Sequence, residues 1–381
     1  MLFFKKPYDV VFYYPQHFNR SEKGTNPFFD PFIKMCEKHH LKYLVIEEPD
    51  RNTSVTRSKK AFQFDFWFYI IILLRKMLPL FLFTAMEQRD EFIGKIVSVI
   101  SMNFFKANCY ITISNSMINV LLGLNANSKV YDLQHGIIYS WHWGYFNQKG
   151  ELNNNLRNNR IRFLVNGNGF KEIFYKNNPF LKLNEDAKVV VTGNSEVILN
   201  SSDSSIVKNN VLYTLQLTAD LNENELLEEK NKLKSFLVKT QNSFVSNGLQ
   251  LLLKSHPRFN NAIDLSDILK SYPFVKFTND TIEKLTENTM LHITQSSTSI
   301  FEFALAGIPT YIIPNAIGNK IFLEEFNYPN ENLELEDIIL IYNTKNQKYF
   351  EFCLRVKKWA LNYYEPLNEI AIIDLIHHGK N

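Results

Sequence analysis

Short apolar runs that end abruptly, alternating with longer amphipathic stretches, restrict this chain more than any other feature. The sharpest is Leu249 to Pro257, Leu-Gln-Leu-Leu-Leu-Lys-Ser-His-Pro. An apolar run this short, closed by a proline that cannot continue a central strand, reads as a buried strand of a parallel sheet. Lys254, Ser255 and His256 then stand at the carboxyl end of that strand, where open α/β sheets bind their ligands. The competing reading is a strand end with an ordinary polar turn.

The same alternation fills the chain. Strands are predicted at Tyr8–Tyr14, Lys42–Glu48, Cys109–Ser114, Lys129–Leu133, Arg162–Val165 and Lys188–Thr192, with helices at Phe28–His40, Phe62–Gln88, Glu91–Lys106 and Ser116–Leu124. Asn200–Asn210 (NSSDSSIVKNN) breaks the pattern, being Ser/Asn-rich and without periodicity, and is the predicted linker. The pattern then restarts: strands at Val211–Leu217, Leu249–Lys254, Val275–Thr278, Leu291–Thr294 and Thr310–Ile313, with helices at Glu223–Val245, Ile263–Ser271 and Ser299–Ala306. Tyr349–Tyr363 and Leu367–His377 close the chain as helices. Strands alternating with helices imply an α/β fold of doubly wound parallel sheets. With 381 residues and roughly 150 residues per domain as a prior, two such domains are expected. Residues 1–199 form the first and 211–348 the second, with the helices of 349–381 packing back on the first.

Composition narrows the function classes. A net charge of +3 on 381 residues argues against nucleic acid as the partner. Cys36, Cys109 and Cys353 lie far apart with no metal-type spacing, and read as reduced, buried thiols of a cytoplasmic protein. No secretory signal is visible at the start of the chain. With 32 Phe and 18 Tyr, aromatic residues exceed what a minimal core needs. Many fall in Phe62–Phe83, FQFDFWFYIIILLRKMLPLFLF, where Asp65, Arg75, Lys76 and Pro79 prevent a clean apolar span. Two readings stay open there: an amphipathic segment on the inner face of an anionic membrane, or a buried helical hairpin.

Four loops at predicted strand ends carry the candidate chemistry. Gln134-His135-Gly136 offers an imidazole that can deprotonate a hydroxyl near neutral pH, with a glycine that lets backbone approach a ligand. The alternative is a core histidine with both nitrogens satisfied. His142 follows in the same loop as an acceptor-pocket candidate. Asn168, in Asn166-Gly167-Asn168-Gly169, and Asn194, after Gly193, could bring amides toward an acceptor or a phosphate, though Asn-Gly is also the commonest turn dipeptide. Lys254-Ser255-His256-Pro257 is the third loop. The fourth, Gln295-Ser296-Ser297-Thr298-Ser299, puts four hydroxyls in a row where they can cap the following helix and leave its amides to an anion. Glu302 on that helix can accept from ribose hydroxyls. No Asp-x-Asp motif is present, so a metal-independent site without cofactor is expected.

These motifs resemble the glycosyltransferases with two Rossmann-like domains, the GT-B fold, whose parallel sheets face a central cleft. More narrowly, the stretch from Tyr131 to Pro314 is similar to bacterial surface-polysaccharide enzymes with a His-Pro and a Ser-Ser motif in the second domain. These include sialyl-, polysialyl- and Kdo-transferases that use CMP-sugars, and the CDP-glycerol glycerophosphotransferases of teichoic acid synthesis. The resemblance implies that His256 with Pro257, and Ser296, Ser297 and Thr298, hold the phosphate and ribose of a nucleotide-sugar. Glu302 matches the acidic residue of many such donor sites. The sialyltransferases carry an acidic pair before a glycine. Gln134-His135-Gly136 is more like the glycerophosphotransferases, where the histidine is a candidate base. The implied activity is inverting transfer from a CMP-sugar to a glycan or lipid-linked glycan of capsule or lipopolysaccharide O-antigen. Catalysis would fall to His135 and His256, and the acceptor to Gln134, Gly136, His142, Asn168 and Asn194. A nucleotide-sugar 2-epimerase, a transferase using UDP-, GDP- or CDP-linked donors, and a non-catalytic assembly subunit are the alternatives.

Overall fold

The computed structural model describes residues 7–15, 18, 26–49, 57–176, 178, 181, 188–194, 208–217, 221–255, 263–330, 333–344 and 346–377. It divides into two compact units, Met1–Glu196 with Glu365–Asn381, and Val197–Tyr364.

The first unit is built on a seven-stranded parallel sheet. Its strands are β1 (Tyr8–Tyr14), β2 (Tyr43–Glu47), β3 (Phe62–Gln63), β4 (Ala107–Ile113), β5 (Lys129–Leu133), β6 (Ile161–Val165) and β7 (Val189–Val191), in the order β3-β2-β1-β4-β5-β6-β7. β4 and β5 are buried at every residue, as expected of central parallel strands covered on both faces. The covering helices are α1 (Asp30–Lys38), α2 (Asp65–Met77), α3 (Met86–Ile100), α4 (Ile118–Leu124) and α5 (Asn168–Lys176). One core cluster joins Phe12, Phe29, Phe32 and Ile111 with Ile372 and Ile376 from the end of the chain. The stretch Phe62–Gln88 is not one helix: Leu78, before Pro79, leaves helical geometry at φ −103°, ψ 91°, because a residue before proline is driven out of the α region.

Helices α3 and α4 cross with their backbones in contact. A Cβ on Gly94 would lie 2.1 Å from the carbonyl oxygen of Val120, and one on Gly123 would lie 2.0 Å from that of Glu91. Alanine is ordinarily better than glycine inside a helix by about 1 kcal/mol. Here the obstacle is backbone, which no rotamer change relieves. Overpacking of this kind costs about 1–3 kcal/mol or more. Gly94→Ala is therefore expected to destabilise the chain by about 2 kcal/mol net in urea titrations, and a stabilised variant would contradict this crossing.

The second unit repeats the plan on five parallel strands: β8 (Asn210–Thr214), β9 (Gln250–Lys254), β10 (Val275–Thr278), β11 (Thr289–Thr294) and β12 (Thr310–Ile312), ordered β10-β9-β8-β11-β12. Around it lie α6 (Glu223–Ser246), α7 (Ser266–Ser271), α8 (Ile282–Thr286), α9 (Ile300–Leu305), the single turn α10 (Ala316–Gly318), a π-helical segment Asn319–Glu325, α11 (Leu335–Asn343) and α12 (Gln347–Tyr363). Asn222 opens α6 with a reciprocal capping box to Glu225. Most of the predicted linker lies outside the described residues, and its last residue, Asn210, already belongs to β8.

The end of the chain differs from expectation. Only α13 (Glu369–His377) packs on the first unit, against α1, β1 and β4. Helix α12 stays with the second unit, where Trp359 stacks on Phe301 at 4.7 Å and both Trp359 and Tyr363 donate to the carbonyl of Phe326. Its amphipathic pattern required a partner and could not say which one.

In both sheets the strand order reverses its direction of growth beside the first strand. The reversal lies between β1 and β4 in one unit and between β8 and β11 in the other. Such switch points leave a crevice outside the carboxyl ends of the strands, the usual ligand position in open α/β sheets.

Candidate functional site

In the first unit Gln134-His135-Gly136 follows β5, next to β4 of the switch point. Gln134 is buried and works as a brace. Its Nε2 donates to the carbonyl of Gly136 at 2.7 Å, and its Oε1 accepts from the N–H of Asn166 at 2.9 Å. The β5 and β6 loops are thereby locked together. The His135 ring is half-buried and meets Phe18 edge-on at 4.7 Å. A Cβ on Gly136 would meet nothing within 4 Å, so the space beside the histidine is open.

His142 has a different environment. Its Nδ1 accepts from the N–H of Gly144 at 3.2 Å, and its ring lies among Tyr139, Trp143 and Tyr145. Burial lowers its pKa, so it stands as a neutral acceptor that shapes the turn. Trp143 beside it is exposed.

Asn168 and Asn194 are engaged by the returning chain. Asn168 donates from its backbone N–H and from Nδ2 to Glu365 Oε1, at 2.8 and 2.7 Å. Asn194 donates its N–H to the carbonyl of Glu365 and pairs with Pro366. Gly193 between them has φ +73°, and a Cβ there would sit 2.1 Å from the Pro366 carbonyl oxygen. The side-chain amide of Asn168 and the backbone of Asn194 thus seat the returning segment at Glu365 and Pro366. The Asn168–Glu365 contact joins residues 197 positions apart, and no local spacing announces it.

A carboxylate absent from the sequence reading sits under the first-unit loops. Asp132, in β5, is buried; Oδ1 accepts from the N–H of Asn115 at 2.6 Å and Oδ2 from the hydroxyl of Tyr145 at 2.7 Å. Burial raises its pKa to about 7. It ties the β4–α4 turn, where Ser114, Asn115 and Met117 hold left-handed backbone at φ 59°, 55° and 53°, to the loop that carries His142. Three non-glycine residues in that region need such support. An aspartate on the strand-like Lys129–Leu133 run, between Tyr131 and Leu133, was the available signal.

In the second unit the hydroxyl run follows β11 at the switch point. It does not cap α9 by side chain: Ser299 makes no such bond, and the helix has six residues. Thr294 Oγ1 accepts from the N–H of Ser297 at 2.9 Å, and the Ser297 and Ser299 hydroxyls are 2.8 Å apart. Ser299 turns into the core, 3.3 Å from His292 Nε2. Ser296, Ser297 and Thr298 stay accessible, and Glu302 is exposed on α9. Gln295 Nε2 donates to Glu229 Oε2 at 2.7 Å, joining the loop to α6.

Lys254 ends β9 with its Nζ donating to the carbonyl of Asp280 at 2.7 Å, and Ser255 beside it is half-buried. His256 and Pro257 lie outside the described residues. Two hollows open beside the strand ends. A larger one of about 660 Å³ is lined by Tyr213, Lys232, Phe236, Gln295, Tyr311 and Asn315, and a smaller one of about 250 Å³ by Gln216, Leu221, Glu225, Glu228, Glu229 and Gln295. Of the described residues read from sequence, Gln295 alone lines either. The smaller hollow sits at the switch point; Lys232 pairs with two of its three glutamates, Glu228 at 2.9 Å and Glu229 at 2.8 Å, and the lining stays net acidic, which disfavours phosphate. Phosphate is better accommodated by the uncharged Ser296–Thr298 loop, and the glutamates suit hydroxyl groups.

No protein-family model and no curated protein matches this sequence. Solved structures resemble it along nearly its full length. The UDP-GlcNAc 2-epimerase from Neisseria meningitidis bound to UDP-GlcNAc aligns with a TM-score of 0.54 at 13% identity, covering 97% of this chain and 98% of that one. The wall teichoic acid polymerase TagF aligns at 0.52 and 16% identity, covering 98% and 89%. The calicheamicin glycosyltransferase CalG4 aligns at 0.51 and 10% identity, covering 98% of each. At such identities the likeness carries the fold alone: a two-domain α/β architecture of the GT-B type, with parallel sheets of seven and five strands.

Proposed function

We propose that the chain is a glycosyltransferase that moves a sugar from a nucleotide-sugar, a CMP-sugar of the sialic acid or Kdo type, to a glycan or lipid-linked glycan hydroxyl. The observation that carries this reading is placement. Gln134–Gly136 leaves a strand flanking the switch point of one sheet, and Gln295–Thr298 leaves a switch-point strand of the other. In this reading His135 takes the proton of the acceptor hydroxyl, and the oxygen attacks the anomeric carbon with inversion as the nucleotide phosphate leaves. Phosphate and ribose are held by Ser296, Ser297, Thr298 and Glu302, with Lys254, Ser255, His256 and Pro257 completing the donor site. Leaving-group charge is met by these donors without a metal ion. Assignment to capsule or O-antigen assembly in the cytoplasm rests on the motif resemblance.

Melting of the full chain with CMP, CDP, UDP or GDP tests the reading. A nucleotide at a hundred times its Kd stabilises a fold by about 2.7 kcal/mol, which is a shift of several degrees. CMP is expected to raise the melting temperature and the others to leave it near the unliganded value. A shift with CDP alone would redirect the donor to a CDP-polyol, and no shift with any of the four sinks the reading.

A second reading, nucleotide-sugar 2-epimerase, is favoured by the glutamates of the smaller hollow, since that chemistry wants carboxylates facing a hexose. It requires UDP binding and conversion of the sugar with no acceptor added.

A further inference from the structure

The segment between Phe62 and Met102 is not a buried hairpin. Along α2, Phe66, Tyr69, Leu73 and Met77 are exposed and recur every three or four residues, so one helical stripe of large apolar groups faces outward. Only Ile71 of that helix is fully buried. The turn that follows exposes Leu80, Phe81 and Leu82, with Phe81 at 84%. On α3 and its end, Phe92, Val99, Ile100 and Met102 continue the apolar surface. The pieces form one hairpin: Arg75 holds Asp90 at 2.6 Å, and the rings of Phe83 and Phe92 lie 5.8 Å apart.

Along this segment the exposed charges share one sign, with Lys60 lying 3.9 Å from Glu37, an exposed acid of α1. From Arg57 to Lys106 every exposed charged residue is a lysine: Lys59, Lys60, Lys76, Lys95 and Lys106. The acids of the same stretch are paired with basic side chains or half-buried. Asp65 pairs with Arg57, Asp90 with Arg75 and Arg89, and Glu91 with Lys95 and Arg160, while Glu87 is half-buried. Among the described residues no helix is long and apolar enough to cross a membrane. A helix pair with an outward apolar stripe, an aromatic tip and a lysine rim is suited to lie in the plane of a bilayer surface. A second copy of the chain fits less well, because a two-fold contact would bring lysine rim to lysine rim.

We infer that the α2–α3 hairpin docks on an anionic lipid surface, with Leu80–Leu82 entering the acyl boundary and the lysines meeting lipid head groups. The inference does not depend on the sugar-transfer reading, and its test needs no nucleotide or sugar. Full-length protein is sedimented with vesicles of phosphatidylcholine alone or of phosphatidylcholine with phosphatidylglycerol, at low and high salt. Expected is binding to the anionic vesicles that weakens with salt and falls about tenfold or more in a Phe81→Asp, Leu82→Asp double variant. Both positions are well exposed, so the variant should keep the wild-type melting temperature. Equal binding to both vesicle types, or binding the double variant retains, overturns the inference. So does absence of binding, whether the protein is a monomer or, by light scattering, a dimer that the double variant abolishes.

Discussion

Replacing His135 with Asn is expected to lower the transfer rate by about a thousandfold while melting temperature and nucleotide affinity stay at wild-type values. The size follows from the role: a positioned general base contributes about 10²–10⁴ to rate. The selectivity follows from the surroundings. The His135 ring rests edge-on against Phe18, while the hydrogen bonds that hold its loop run through Gln134 to Gly136 and Asn166. Asparagine at 135 leaves those bonds in place. The proposed nucleotide-holding groups follow strands of the second unit and are untouched. His142→Ala supplies the contrast within the same loop. That imidazole is held neutral by burial and accepts the Gly144 N–H, so its loss should loosen the turn and weaken acceptor binding more than it slows the chemical step. A His135→Asn chain with unchanged transfer, or one that loses nucleotide binding in parallel, would remove the histidine from the mechanism.

How far the sequence could be read depended on whether a feature was local. Central strands such as Ala107–Ile113 and Lys129–Leu133 are covered on both faces, so they are short and mostly apolar, and such runs are visible without a structure. The loops that follow them were legible for the same reason, since polar residues appear where the run stops. What escaped was set by partners distant in sequence. Asn168 reads as a free amide because Glu365, which accepts from it, comes 197 residues later, and the backbone of Asn194 is likewise met by Glu365 and Pro366. Ser299 looked like a helix cap, whereas a buried histidine seven residues earlier draws its hydroxyl inward. The short helix α8 and the helix α11 are not among the elements predicted from sequence. The break at Leu78 was readable from Pro79, but the apolar run around it outweighed the proline.

That buried histidine makes the second unit sensitive to acid. His292, in β11, is fully buried. Its Nε2 lies 2.9 Å from Thr214 Oγ1 of β8, its Nδ1 lies 3.0 Å from Thr310 Oγ1 of β12, and its ring stacks on Phe303 at 4.3 Å. One neutral imidazole thus links three adjacent strands and, through Ser299, the turn that presents Ser296–Thr298. Burial pushes its pKa down from 6.5 to about 3. The folded value is depressed, so the stability contribution is complete above about pH 6.5. Below that the unfolded chain binds a proton that the folded chain refuses. Stability then falls by about 1.4 kcal/mol per pH unit until the folded pKa near 3 is reached. His292→Gln keeps a donor and an acceptor but does not titrate. At pH 7.5 it should be less stable than wild type by about 2 kcal/mol, from imperfect hydrogen bonds to the buried hydroxyls. On acidification the wild type loses ground and the variant does not, so the two urea-derived stabilities should converge and cross near pH 5. Subtracting one curve from the other cancels every other titrating group, including Asp132, whose raised pKa acts with the opposite sign between about pH 4 and 7. Parallel curves would mean that His292 accepts its proton in the folded state, and the three-strand link would then have to tolerate a buried charge.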